Sequence, residues 1–77
     1  MKSPPEVFVD QNWMKTINFI LFKLNPNNEL ILTAENSRMK KMALSSIITI
    51  LCDERKFYRE VKKWDEKDSI KVHLTKV

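Results

Sequence analysis

A predicted helix with a single apolar face, over residues 37–56, limits the fold of this chain more than any other feature. The stretch is long enough for about five helical turns. Asn36 or Ser37 is the expected N-cap, because a short polar side chain accepts a hydrogen bond from a first-turn amide. Such a helix needs a second layer to cover it, and we expect that layer to be a sheet. Its apolar side chains recur at three- and four-residue spacings, at Met39, Met42, Ala43, Ile47, Ile50 and Leu51.

Three basic residues crowd the first turn of this helix: Arg38, Lys40 and Lys41. The helix dipole places partial positive charge there, so each cation costs about 0.3–1 kcal/mol at low salt. Folding alone gives little reason to collect them. A helix N-terminus with added cations favours phosphate binding. The alternative interpretation is that three exposed, screened charges keep the surface soluble.

The chain of 77 residues has the size of one small domain. It has no covalent cross-link to add to the stability of a small core. Cys52 is the single cysteine and His73 the single histidine, so an intrachain disulfide and a Cys/His zinc cluster are excluded. We expect both side chains to be structural, and we expect no metal and no cofactor. The free thiol, without an apolar leader or a membrane-spanning stretch, favours a cytoplasmic protein.

Glycine is absent from the sequence, which argues against several classes of enzyme. Phosphate-binding P-loops, dinucleotide-binding turns and nucleophile elbows all require glycine. Asp10 and Glu35 follow predicted strands, where the sites of parallel sheets collect. Since neither has a partner base or a predicted cleft, we expect them to cap helices and carry surface charge. We therefore expect no catalytic residue and no enzyme.

The net charge of +4 is unevenly distributed along the chain. Residues 1–36 carry three basic and four acidic side chains, whereas residues 37–77 carry eleven basic and six acidic ones. The basic character therefore belongs to the long helix and to the segments after it. Such asymmetry is typical of polyanion binding.

The remaining segments predict alternating strands and helices in one domain. Residues 1–5 form an extended or disordered lead, because two prolines follow one another there. The unbroken apolar run of the first strand predicts burial on both of its faces. In chain order we predict strand 6–9, helix 12–24, a turn at 25–28, strand 29–34, helix 37–56, strand 57–64, a turn at 65–68 and strand 69–77.

This order predicts an α+β fold over residues 6–77. It is a two-layer α/β sandwich with the order β-α-β-α-β-β, and two helices cover one face of a four-stranded mixed sheet. The last strand alternates apolar and polar residues, so one of its faces is expected to be buried and the other to contact water. The core stripe of the first helix is predicted to contain Trp13, Ile17, Ile20, Leu21 and Leu24.

Two further surfaces follow from the pattern. Phe19 and Phe22 fall away from the first helix's core stripe. They indicate either a wide contact with the sheet or a partner surface, most simply a homodimer. The final hairpin has Trp64 beside its turn and several lysines, which can grip a phosphate backbone and stack a base. The lysines can equally serve to protect a sheet edge from aggregation.

The segments VFVDQNWMKTINFILFKL and ELILTAENSRMKKMAL, in this order of elements, resemble the Alba family of archaeal chromatin and RNA-binding proteins. The resemblance covers nearly the whole chain, by pattern rather than by signature. The family's Lys-Lys-Pro segment corresponds to residues 11–13, which read Gln-Asn-Trp, and its Gly-Arg loop corresponds to Asn36 and Ser37, with Arg38 displaced by a residue. Lys41 matches a basic helix position, and the family's long arm is reduced to residues 65–68. The resemblance implies DNA or RNA binding.

Two other families share the predicted topology. The SirA/TusA-like sulfur carriers are similar in their short final hairpin and in the stretch LNPNNELILTAEN. Their chemistry needs a Cys-Pro-x-Pro motif, and the corresponding residues 10–13 here read Asp-Gln-Asn-Trp, so this resemblance implies an inactive paralogue. The C-terminal domain of a bacterial initiation factor, which binds ribosomal RNA, also has this topology.

The sequence thus predicts a small nucleic-acid-binding protein of low specificity, because phosphate contacts carry little sequence information. The alternative is a protein-interaction subunit without a nucleic-acid role. Phe19 and Phe22 are the candidates for a dimer interface. The candidate nucleic-acid-binding residues are Lys15, Arg38, Lys40, Lys41, Lys62, Lys63, Lys67 and Lys71.

Overall fold

The computed structural model describes residues 4–24 and 28–77. The predicted order β-α-β-α-β-β is confirmed. The first three residues of the predicted lead, and residues 25–27 of the predicted turn, lie outside the described residues. The elements are β1 (Glu6–Phe8), α1 (Trp13–Lys23), β2 (Glu29–Glu35), α2 (Arg38–Ile48), a π-helix (Thr49–Glu54), β3 (Tyr58–Asp65) and β4 (Ser69–Lys76).

The four strands form one mixed sheet in the order β1-β2-β4-β3. β1 pairs with β2 in parallel, and β4 is antiparallel to both β2 and β3. β4 therefore lies inside the sheet, although it follows β3 in the chain. The helices pack on one face of this sheet, as predicted, and we call the opposite side the open face.

The core lies between the helices and the sheet. Leu30, Leu32, Val72 and Leu74 alternate with more exposed residues along β2 and β4, and all four are completely buried. This alternation follows from the two-residue period of a strand, which turns successive side chains to opposite faces. From the helical layer, the core receives Ile17, Ile20, Ala43, Leu44, Ile47 and Leu51.

The helix predicted over residues 37–56 is divided into two kinds of helix. Ser37 is the N-cap, and its Oγ accepts a hydrogen bond from the Lys40 amide at 3.3 Å. α2 ends at Ile48, and the chain continues as the π-helix. At the end of the π-helix the Arg55 N–H donates to the Ile50 carbonyl at 2.8 Å, a five-residue spacing. The prediction of one continuous α-helix is therefore wrong at its C-terminal third.

The buried face of α2 also differs from the prediction. Met39 and Met42 are 57% and 62% exposed, whereas Leu44, which was not assigned to the core, is buried. The arc that faces the sheet is centred on Leu44 and Ile47, and the two methionines lie at its margin. They line a shallow groove beside Trp13 instead.

α1 begins at Trp13, one residue after the predicted start, and its N-cap is Asn12, whose Oδ1 accepts from the Met14 N–H at 3.2 Å. Thr16, Ile17 and Ile20 are buried. The other members of the predicted stripe, Trp13, Leu21 and Leu24, are partly buried and pack against the core. Phe19 and Phe22 are exposed, in agreement with their predicted position outside the stripe.

The prediction that the first strand is buried on both faces is wrong. Val7 and Val9 are buried, but Phe8 between them is 71% exposed. Phe8 points to the open face, which no helix covers among the described residues. An unbroken apolar run can therefore belong to a strand that is covered on one side.

Candidate nucleic-acid interface

A backbone hydrogen bond joins the two basic segments that the sequence singled out. The Asn36 N–H donates to the Asp68 carbonyl at 2.9 Å, and the turn itself is closed by the Glu66 N–H, which donates to the Ser69 carbonyl at 2.8 Å. The β3–β4 turn therefore lies beside the first turn of α2. Through this contact Arg38 and Lys41 share one end of the sheet with Lys67, although about 30 residues separate them in the chain.

Arg38 and Lys41 are exposed at the first turn of α2. Neither forms an ion pair with any described residue. The early N–H groups of a helix have no intrahelical acceptor, and the dipole adds positive potential there. These two side chains and the helix start thus form a small region of positive charge without a direct ion-pair partner among the described residues.

Lys40 has a different environment from its two neighbours. Its Nζ donates to the Val9 carbonyl at 3.3 Å and lies 3.9 Å from a Glu35 carboxylate oxygen. The side chain is partly buried and connects the end of β1 to the start of α2. The structure therefore gives Lys40 a positioning role at this end of the sheet.

The predicted lysines of the hairpin do not form one surface. Lys62 pairs with His73, and Lys71 pairs with Trp64 and with Thr33, so these two lysines lie on the open face. Lys63 pairs with Val72, whose side chain is in the core, so Lys63 points to the side of the helices. Lys67 lies in the turn between the strands. Sequence spacing places these residues on one hairpin, but strand alternation divides them.

Trp64 lies on the open face next to the β3–β4 turn. Its Nε1 donates to Glu66 Oε1 at 3.3 Å, and the Lys62 Nζ lies 5.4 Å from the centroid of its ring. This distance is within the range of a cation–π contact. Both contacts favour this orientation of the ring, and the lysine adds positive charge beside it. We name the group Arg38, Lys41, Lys62, Trp64 and Lys67 the rim site.

Trp64 also belongs to a row of side chains that crosses all four strands of the open face. The strand registers place Phe8 opposite Thr33, Thr33 opposite Lys71, and Lys71 opposite Trp64. An aromatic residue thus stands at each end of the row. Phe8 is not among the predicted site residues, because its exposure follows from strand alternation only once the sheet is known to be covered on one side.

Lys71 is neutralised within this row. Its Nζ lies 3.0 Å from Glu6 Oε2 and 3.6 Å from Glu66 Oε1. The Thr33 hydroxyl donates to the same Glu6 oxygen at 2.6 Å. That hydroxyl and the Lys71 ammonium hold the pKa of Glu6 below its usual range, and the bond to Glu6 raises the pKa of Lys71. Lys71 therefore has less charge to offer a phosphate than the unpaired cations of the rim site.

The other predicted site residues lie apart from one another. Lys15 and Phe19 line a groove along β1, together with Phe8. Phe22 lines a second groove, between α1 and the π-helix, together with Trp13 and Met14. The predicted dimer pair of Phe19 and Phe22 is thus divided between two surfaces.

The groups that could support covalent or metal chemistry have structural surroundings. Burial raises the pKa of the Cys52 thiol, and the charges of Asp53 and Glu60 raise it further. The thiol is therefore a poor nucleophile at neutral pH. His73 Nε2 lies 3.0 Å from Glu29 Oε1. Within residues 4–24 and 28–77, no three His, Cys, Asp or Glu side chains are grouped so that they could hold a metal ion.

The fold and the rim site define a small two-layer α+β domain with a basic rim at one end of its sheet. No protein-family model, no curated protein and no solved structure matches the chain significantly. The Alba-like and SirA/TusA-like resemblances therefore stay predictions. Among the described residues, the helices are too short or too polar to span a membrane.

Proposed function

We propose that the chain binds nucleic acid with low specificity at the rim site. The observation that carries the proposal is the 2.9 Å hydrogen bond from the Asn36 N–H to the Asp68 carbonyl. It holds a helix start, whose two cations form no ion pair with any described residue, beside the basic turn that Trp64 precedes in the chain. Phosphate ligands and a stacking surface are then available within one end of a small domain.

Each residue of the rim site has a distinct role in this proposal. Arg38 and Lys41 contact backbone phosphates at the start of α2, and Lys67 extends the contact from the turn. Trp64 stacks an unpaired base, and Lys62 accompanies it. Lys40 positions α2 against β1. Contacts to phosphates and to the flat face of a base do not read sequence, so specificity is low.

Single-stranded RNA or DNA fits this arrangement better than a duplex. A base must leave its stack to reach Trp64, and this costs less in a single strand, where no base pair has to be broken. The turn of residues 65–68 is also too short to reach along a duplex groove. An Alba-like ancestry is compatible with this proposal, and the free thiol of Cys52 supports a reducing, cytoplasmic location.

Charge reversal at the rim tests the proposal. We expect the double variant Arg38→Glu, Lys41→Glu to lose about tenfold or more of its affinity for a labelled single-stranded RNA at low salt. The matched control is Arg55→Glu, Lys56→Glu, which changes the net charge equally at exposed positions after the π-helix. Fluorescence anisotropy at low and higher salt measures both variants, with single-stranded DNA and a DNA duplex as further ligands. Equal losses in the two double variants would show that net charge alone acts and would contradict the rim site.

A protein-interaction role is the second candidate, and exposed apolar side chains on the helices favour it. Met14, Phe22, Met39 and Met42 are each more than half exposed, and they line the two grooves that meet at Trp13. A second copy of the chain is the simplest partner for such a surface. Sedimentation of the same variants separates the two candidates. Assembly that survives Arg38→Glu, Lys41→Glu but is abolished by Phe22→Ser, without any nucleic-acid binding, would favour this role.

A further inference from the structure

We propose that the outer edge of β1 binds an extended peptide segment of another protein, which joins the sheet as an additional strand. The segment is apolar on its alternate residues and carries an acidic side chain. This role goes beyond nucleic-acid binding, because it uses the edge of the sheet and not the rim site.

The backbone of β1 has hydrogen-bonding groups that bind no other described residue and are available to such a strand. Towards β2, the Pro5 carbonyl accepts from the Ile31 N–H at 2.9 Å, and the Val9 N–H donates to the Thr33 carbonyl at 2.8 Å. In a parallel pair, alternate residues direct both of their backbone groups to the same neighbour. The N–H and C=O groups of Glu6 and Phe8 therefore point away from β2, along the outer edge.

A groove of about 300 Å³ runs beside this edge, between β1 and α1. Phe8 and Phe19 form its apolar walls, and they are 71% and 47% exposed. Because successive residues of a strand point to opposite sides, an added strand would place alternate side chains against these two rings. Backbone bonds would then supply affinity, and the rings would select apolar residues.

The opposite edge of the sheet, on β3, is protected against strand addition, whereas the β1 edge is not. β3 has a register irregularity between Glu60 and Lys62, and it carries Arg59 and Lys63 as well. Bulges and charged side chains are the usual means of preventing strand addition. β1 has one charged residue, Glu6, whose carboxylate turns inward to Thr33 and Lys71. No charged side chain of β1 therefore points outward along this edge, where it could prevent strand addition.

Lys15 determines the charge of the segment that fits. Its side chain lines the groove and forms no ion pair with any described residue. The two acids of the same lining already have partners, because Glu6 binds Thr33 and Lys71, and Asp10 accepts from the Asn12 N–H. An acidic side chain on the added strand can pair with Lys15. A second copy of the chain fits less well, because the three residues of β1 bury far less than the roughly 800 Å² per partner that a stable dimer needs.

Two synthetic peptides test the proposal with the full chain. Both alternate valine and threonine, and they differ at one position, which is glutamate in one peptide and lysine in the other. We expect the glutamate peptide to shift the backbone amide NMR signals of Glu6 and Phe8 and to bind about tenfold more tightly than the lysine peptide. Lys15→Glu should reverse this preference, and Phe8→Ser should weaken both peptides.

The matched control is Val61→Ser, which removes an exposed apolar side chain from the opposite edge of the sheet and should leave peptide binding unchanged. Since Phe8 and Val61 are both exposed, neither variant removes core packing. Three results would overturn the proposal. These are unmoved amides at Glu6 and Phe8, an unchanged peptide preference in Lys15→Glu, and a β1 edge that instead pairs with a second copy and excludes the peptide.

Discussion

The sequence predicts Lys40 as a phosphate-binding residue, but in the structure its side chain joins α2 to the end of β1. It stands between two cations that face solvent, but its Nζ donates to the Val9 carbonyl at 3.3 Å. That carbonyl is at the end of β1, so the bond joins the segment that precedes α1 to the first turn of α2. The contact with Val9, which lies 31 residues away in the chain, therefore distinguishes Lys40 from the other two basic residues of this helical turn.

This link predicts a difference in stability between two adjacent lysines. Lys40→Met should lower the free energy of unfolding by about 1 kcal/mol, because the partly buried Val9 carbonyl loses its donor. Lys41→Met should change it by less than about 0.5 kcal/mol, since Lys41 is exposed and unpaired. Urea unfolding of both variants measures the difference. Equal stabilities would show that the Lys40 bond does not form in solution.

The lowered pKa of Glu6 predicts that the free energy of unfolding depends on pH. This pKa is lowered in the folded chain by the Thr33 hydroxyl and by Lys71. A lowered pKa means that the carboxylate stabilises the fold above the ordinary glutamate pKa of about 4.3, and that this contribution is lost as the pH falls through the lowered value. The Glu6→Gln variant should therefore have a lower free energy of unfolding than the natural chain at neutral pH. This difference should disappear as the pH falls through the lowered pKa of Glu6. Urea midpoints measured across this pH range test it, and a difference independent of pH would contradict the charge-based origin.

At the scale of elements, α2 has two overlapping apolar stripes, and the sheet covers one of them. The predicted stripe included Met39 and Met42, whereas the buried one includes Leu44. Sequence periodicity does not separate the two, because both follow three- and four-residue spacings. The choice depends on how the helix is rotated above β2 and β4, which is a property of the assembled layers.

The rotation of α2 is tested by a pair of truncations. Leu44→Ala should destabilise the chain by about 2–5 kcal/mol, because it leaves a cavity in the core. Met42→Ala should cost less than about 0.5 kcal/mol, because the side chain is 62% exposed. Thermal or urea unfolding of the two variants gives the comparison. A larger loss for Met42→Ala would favour the helix rotation that periodicity alone suggested.

The elements and their order were predictable from sequence, but the solvent exposure of several side chains was not. Changes of period between segments identify β1, α1, β2, α2 and the final hairpin. The exposure of Phe8 was not predictable, because an apolar run in a strand is the same whether one or two layers cover it. The contacts from Lys40 to Val9 and from Asn36 to Asp68 join distant segments, so no local pattern indicates them. Strand alternation decides which of the predicted basic residues share a face of the sheet.

At the scale of the whole molecule, the charge of +4 is an incomplete guide to where a polyanion would bind. Acidic groups stand among the cations of the rim site, including Glu35, Glu66 and Asp68. They reduce the positive potential there, so we expect weak binding that depends steeply on salt. The local balance of charge at one end of the sheet matters more than the total.

This balance predicts that removing an acid at the rim strengthens binding. Asp68→Asn keeps the backbone carbonyl that accepts from Asn36 and should raise the affinity for single-stranded RNA at low salt by a few-fold. Asp53→Asn makes the same change in net charge within the π-helix and should have a smaller effect. Anisotropy titrations measure both. The same gain in both variants would show that total charge, and not its position, governs binding.

The position of β4 has a consequence for how the chain is made. β4 follows β3 in synthesis, yet it lies between β2 and β3 and supplies the completely buried Val72 and Leu74. A chain that ends before β4 lacks Val72 and Leu74 and leaves β3 without the strand that it pairs with. We therefore expect the complete sheet and core to form only once β4 (Ser69–Lys76) is available, so synthesis up to residue 68 should not yield the folded domain.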